Sequence, residues 1–321
     1  MSTNKDIQLE FRRFGGKHAG PHLLITAGVH GDEYLTMLVV RELIRRLDSD
    51  NRIRQEIRGT VTLIPVVNHS AYLAGRRVGE DSQDLARTCP GRRDGTVTER
   101  VADALSRRIA EADFYVDMHT GGTELCVLPL AGYMLHSDAS VLQQQRNMAR
   151  SFGLPFVWGT SAELQGRSLS VARDGGVPAI YVEYFGAHRE LSEISNRTLI
   201  SSSLFDHPLL VGCLNVMQHL GILPGSLSAT ENQNVVEDWR VGSGHMQVCN
   251  PALESGFLTL KVKLGQRVSC GDLLAEIETL LGGEKQNVVS GQNGTVVVLR
   301  EYPRVNEGDS VAVIAENGGG S

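Results

Sequence analysis

The chain of 321 residues contains no run approaching the ~18–20 apolar residues that a membrane-spanning helix needs, so no membrane association is expected. Its first residues, MSTNKDIQLEFRRF, lack the apolar core of a secretory signal, which points to a cytoplasmic location. Paired cysteines are also missing. Cys89, Cys126, Cys213, Cys249 and Cys270 are odd in number and never spaced C-x-x-C. This excludes a ribbon-type zinc site and fits reduced thiols. Nor is there an excess of basic charge. A net charge of -6, with acids and bases interspersed, argues against a nucleic-acid partner.

What is present reads as an ordinary globular protein. Apolar residues make up 41% and charged residues 21%, and the length suffices for one large domain and a small one. From Phe11 to about Gly221, nearly continuous apolar strands alternate with helical patterns. HLLITAGV precedes a helix over Glu33–Leu47, and GTVTLIPVVN (59–68) is a second strand. Thr96 and Glu99 form a capping-box pair ahead of a helix with apolar residues at 97, 101, 105 and 109. FYVDMHTGG and VPAIYVEYFG are further strands. This predicts an α/β fold: a mixed, mostly parallel sheet with helices on both faces. The polar stretch 228–242 reads as a linker after an α/β domain over 1–227. Residues 243–316, short β runs broken by Gly-Asp and Asn-Gly turns, predict a small all-β, barrel-like domain. Residues 317–321, NGGGS, read as a flexible tail.

Two histidines fall where such a sheet binds ligands, just outside the carboxyl ends of strands. His30 follows HLLITAGV, and His119 ends FYVDMH. Either histidine alone is more plainly a loop residue. Together with one carboxylate, and a fourth position left to water, they make the donor set of a catalytic zinc. Glu183 lies inside the apolar strand AIYVEYFG, where a carboxylate is costly unless it is paired or functional.

The motifs GVHGDE, DLARTCPG, DMHTGG and GVPAIYVEYFG, in this order, resemble those of the succinylglutamate desuccinylase/aspartoacylase family, whose catalytic domain is similar to zinc carboxypeptidases. The resemblance implies one Zn²⁺ per chain held by His30, Glu33 and His119, with Glu183 as general base. It also implies an arginine that polarises the scissile carbonyl, assigned to Arg77 with Arg76 as its rival. The family's Asp-Leu-Asn-Arg motif reads Asp84-Leu85-Ala86-Arg87 here. Arg87 keeps the cation that binds a substrate anion, and Asp84 keeps an acceptor that can steady His30. Ala86 cannot donate a hydrogen bond, so the family's carboxylate recognition is altered.

The β segment resembles a lipoyl or biotinyl carrier domain. The tip of its hairpin, however, is LLGGEK, with Leu280 and Leu281 where a carrier has its acid-lysine pair and Lys285 displaced. A structural module beside the active site is therefore expected. The resemblance implies a zinc-dependent hydrolase that cleaves the amide of a small N-acyl amino acid or N-acyl diamino acid. A metallocarboxypeptidase acting on peptides and a non-enzymatic carrier protein are the alternatives. A small-molecule substrate is the expected partner, and a homo-oligomer is compatible with the sequence.

Overall fold

The computed structural model describes residues 7–186, 206–225, 233–246 and 249–316. The order of elements is β1 (Arg12–Gly15), β2 (His18–Ala27), α1 (Tyr34–Ser49), α2 (Asn51–Glu56), β3 (Arg58–Ile64), α3 (His69–Ala74), α4 (Val97–Ala110), β4 (Phe114–His119) and β5 (Leu125–Met134). Next come α5 (Ala139–Phe152), β6 (Phe156–Thr160), α6 (Ser168–Asp174), β7 (Ala179–Phe185), α7 (Pro208–His219) and β8 (Asn234–Glu237). The last seven strands are β9 (Gly256–Leu260), β10 (Arg267–Val268), β11 (Leu273–Glu278), β12 (Lys285–Val289), β13 (Gly294–Arg300), β14 (Arg304–Val305) and β15 (Ala312–Ala315).

The main sheet runs β1-β3-β2-β4-β7-β5, and its centre, β3-β2-β4-β7, is parallel. Helices cover both faces, as the apolar strands require. Leu23 and Ile25 of β2 join a core with Val39 and Leu43 of α1, Met148 and Phe152 of α5 and Leu210 of α7. Leu24 points the other way, into a core with Val101 and Leu105 of α4 and Leu169 of α6. The capping box of α4 forms as expected, with the Thr96 side chain accepting from the Glu99 amide and the Glu99 carboxylate from the Thr96 amide. The helix predicted from Glu33 begins one residue later, because Glu33 is its N-cap.

Three strands, β1, β5 and β6, were not expected, and a fourth, β8, lies in the supposed linker. There Asn234–Glu237 pairs in parallel with β6. Its four residues are too few, and too exposed, to stand out from polar sequence. The first five residues of that linker, 228–232, and the tail 317–321 lie outside the described residues.

The barrel expected for the C-terminal segment resolves into two sets of strands. β12-β11-β9-β14 form a separate antiparallel sheet. β10, β13 and β15 instead extend the main sheet, with β13 antiparallel to β5. One edge of β5 is thus shared: Leu125–Val127 face β13, and Leu130–Met134 face β6. Strand periodicity alone cannot say whether an edge closes on its own domain or on a neighbour's. Lys285 is ion-paired with Glu276 and Glu278, while Leu280 and Leu281 stand exposed at the turn. No helix among the described residues is long and apolar enough to cross a membrane.

Candidate active site

The parallel order β2-β4-β7 brings three strand ends side by side. β2 runs into the turn that carries His30, β4 ends on His119, and Glu183 of β7 is the register partner of His119. Three motifs far apart in sequence therefore meet at one edge.

His30, Glu33 and His119 are all buried, and their donor atoms lie within 4.8 Å of one another. The Glu33 carboxylate sits between the two imidazoles, with Oε1 2.6 Å from His30 Nδ1 and Oε2 3.0 Å from His119 Nδ1. Although Glu33 is the N-cap of α1, its side chain makes no capping hydrogen bond there. Burial works against its charge, but the two histidines outweigh this and hold its pKa down to about 2. The outer nitrogen of each ring has its own acid: Asp84 Oδ1 lies 3.2 Å from His30 Nε2, and Asp117 Oδ2 lies 3.1 Å from His119 Nε2. Such outer carboxylates fix the tautomer and aim the inner nitrogens. Two imidazoles and a carboxylate fit a divalent metal, zinc included.

Asp117 is a site residue that sequence reading missed. It is buried in β4 and accepts hydrogen bonds from Thr26 Oγ1 at 2.8 Å and from Ser168 Oγ. The signal was available, since Asp117 is an acid inside an apolar strand just as Glu183 is. The Glu183 carboxylate is buried, and its Oε2 has no hydrogen-bond partner among the described residues. Burial above all raises its pKa to about 8; the neighbouring Glu33 adds to this, and His119 opposes it. An orphaned acceptor beside a metal-type donor set is suited to a water or a substrate proton.

Arg77 and Arg76 are adjacent but face different ways. Arg77 lines the cavity in front of the cluster, and two of its nitrogens donate to Asp84 Oδ2, at 2.9 and 3.1 Å. Arg76 donates instead to the backbone carbonyls of Val78 and Gly79. The His30 hydrogen bond and the Arg77 charge overcome burial and hold Asp84 well below the usual carboxylate range.

Arg87 and Ala86 also line the cavity, together with a second residue that sequence reading missed, Arg167. Gly166 brings the two arginines together. Its φ is +79°, its carbonyl accepts from the Cys89 amide at 2.9 Å, and a Cβ there would lie 2.5 Å from the Arg87 carbonyl oxygen. Burial, and then repulsion from Arg167, lower the Arg87 guanidinium to about 10, so it stays charged at neutral pH; burial also lowers Arg167. Two half-buried cations side by side are suited to an anion. Arg167 lies in a polar loop without periodicity, so nothing local marked it.

The catalytic-domain model of the succinylglutamate desuccinylase/aspartoacylase family matches residues 19–200. The N-alpha-acetyl-L-2,4-diaminobutyric acid deacetylase of Halomonas elongata is 30% identical over 304 residues, which cover 92% of this chain and 82% of that protein. Among solved structures, the product-bound ectoine utilization protein EutE (DoeB) from Ruegeria pomeroyi is similar with a TM-score of 0.80 and 27% identity, over 95% of this chain and 88% of that one. A succinylglutamate desuccinylase/aspartoacylase from Rhodobacter sphaeroides gives a TM-score of 0.78 and 25% identity, over 97% and 89%. Fold, site and relatives define a hydrolytic deacylase acting on amide bonds. The chain belongs to the succinylglutamate desuccinylase/aspartoacylase family.

Proposed function

We propose that this enzyme is a zinc-dependent deacylase that frees the α-amine of a small N-acyl amino acid, with an N-acetylated diamino acid as its leading substrate. One observation carries the reading: a buried His30–Glu33–His119 cluster shares a cavity lined by three arginines with Glu183, whose Oε2 has no hydrogen-bond partner among the described residues.

His30, Glu33 and His119 would hold the metal. When bound, a divalent ion supplies a Lewis acid for the amide carbonyl and eases the deprotonation of water. Glu183 takes a proton from the attacking water and delivers it to the leaving amine. Arg77, braced by Asp84, faces the charge that develops on the carbonyl oxygen. Arg87 and Arg167 bind the substrate's α-carboxylate. Asp84 and Asp117 keep both histidines oriented throughout.

The choice of a diamino acid draws support from two sides. The Halomonas relative deacetylates such a compound. Ala86 also removes the amide donor of the family's Asn-Arg fork, which favours an amine component whose side chain carries a compensating group such as a second amine. The test is metal content first, then kcat/KM for N-acetyl-2,4-diaminobutyrate, N-acetylaspartate and N-succinylglutamate with and without chelator. Chelator-sensitive hydrolysis that favours the diamino acid is expected. A clear preference for either dianionic substrate would overturn the assignment, and activity that survives complete metal removal would overturn the mechanism.

A further inference from the structure

Behind the metal cluster the cavity has a wall that the roles above leave unused. Residues 242–246, in the stretch that follows β8, form a strap across the end of β6. The Gly242 amide donates to Ser161 Oγ at 3.1 Å, the Ser161 amide to the Ser243 carbonyl at 3.2 Å, and Ser243 Oγ to the Asp238 carbonyl at 2.7 Å. Gly244 has φ +81° and lies so close to Thr160 that a Cβ would come within 2.4 Å of its side chain. The pinned strap delivers Met246 into the cavity lining, where Thr160 and Tyr181 also stand. Thr160 is itself held in place, its Oγ1 donating to the Tyr133 carbonyl at 3.3 Å.

We infer that Tyr181, Thr160 and Met246 form the subsite that reads the side chain of the amine component, and that it selects a short side chain with a polar, non-anionic tip. This rests on the deacylase reading above. Tyr181 precedes Glu183 by two residues on β7, so both side chains leave the same face of the strand. Glu183 must reach the leaving nitrogen, which puts the amine component, not the acyl group, against Tyr181. Arg167 lines the same cavity as Tyr181 and is engaged by the α-carboxylate. The wall then offers two hydroxyls, a tyrosine ring and a thioether, all without formal charge. A carboxylate tip would be buried without a cation of its own, which is unfavourable. An ammonium or amide tip finds oxygen acceptors and an aromatic face.

The experiment compares the wild type with Tyr181→Phe and Met246→Trp on four substrates: the N-acetyl derivatives of glycine, 2-aminobutyrate, 2,4-diaminobutyrate and aspartate. The wild type should favour diaminobutyrate over both aminobutyrate and aspartate. Tyr181→Phe should cut the diaminobutyrate-to-aminobutyrate ratio of kcat/KM by roughly tenfold, the scale of one hydrogen bond to a charged group. Met246→Trp fills the wall, so it should depress kcat/KM for the longer side chains more than for glycine. Ratios unchanged in both variants of an active, chelator-sensitive enzyme would overturn the subsite alone. A wild type inactive on all four substrates would overturn the deacylase reading and this subsite with it. Melting temperatures near the wild type's would exclude a purely structural effect, because a fold defect lowers all four activities together.

Discussion

Glu183 and His119 are register partners on adjacent strands, yet the proposed division of labour gives them separable phenotypes. Glu183→Gln keeps the shape and removes the proton acceptor. Metal content should therefore stay at the wild-type level while kcat falls on the order of 10²-fold or more. His119→Ala removes one of three donors, so stoichiometric metal should be lost along with activity. Metal analysis beside steady-state kinetics checks both, and a His119→Ala protein that keeps full metal would refute the ligand set. Asp117 belongs to the same logic one step further out. Asp117→Asn leaves the His119 ring with a neutral partner, and loss of such an outer acceptor typically costs 10–100-fold in metal affinity or activity. Titration with a competing chelator measures it; an unaltered affinity together with unaltered turnover would remove Asp117 from the site.

At the scale of elements, local signals and the folded chain agree where one segment carries its own periodicity. The strand ends at His30 and His119 and the capped helix α4 were legible because pattern, cap and chemistry coincide within a few residues. β5 and β6 were not, for opposite reasons. Leu125–Met134 contains Pro129 and Gly132, which weaken a strand pattern, and Phe156–Thr160 is only five residues long. Arg167 was invisible because its place beside Arg87 is made by tertiary contact through Gly166. Beyond β6, the Glu237 carboxylate of β8 accepts from Arg146 Nε and Nη2 of α5, at 2.6 and 2.8 Å, and from the Tyr133 hydroxyl of β5 at 2.7 Å. The Arg146 hydrogen bonds hold its pKa below the ordinary value of 4.5. A group lowered in this way stabilises the fold fully above that ordinary value and loses its contribution as pH falls through the lowered one. Glu237→Gln should therefore cost about 1–2 kcal/mol near neutral pH, modest because the pair is partly solvated. The gap from wild type should shrink as pH drops below 4.5. Chemical denaturation of both proteins across that range decides it; a gap independent of pH would show that the carboxylate charge contributes nothing.

For the molecule as a whole, the consequential feature is that β13 joins β5 and so continues the catalytic sheet into the C-terminal segment. The joint is polar as well as hydrogen-bonded along the backbone. Arg300, buried at the end of β13, donates to Glu124 Oε2 at 2.9 Å and to the Ser310 carbonyl at 3.1 Å, and lies 3.5 Å from Asp309. It thus ties the loop after His119 to the hairpin before β15. Val127 of β5 and Val297, Val298 and Val313 of the C-terminal segment also share one apolar core. Two parts that share a strand edge and a core have no cleavage plane where one could melt first, so thermal unfolding is expected to be a single cooperative transition. Arg300→Met keeps the apolar bulk but strands Asp309 without its cation and leaves Glu124 only the exposed Arg304, at 3.5 Å. Breaking a fully buried pair costs 3–5 kcal/mol, and the partial exposure of both acids reduces this to about 2 kcal/mol. The melting temperature should fall by about 2–4 °C for each kcal/mol lost. Because Glu124 follows the His119 turn so closely, activity should decline before the global transition is reached. Scanning calorimetry with a parallel activity assay tests the joint. Two resolved transitions in the wild type, or an Arg300→Met protein with unchanged melting, would mean that the C-terminal segment rests against the catalytic sheet without being coupled to it.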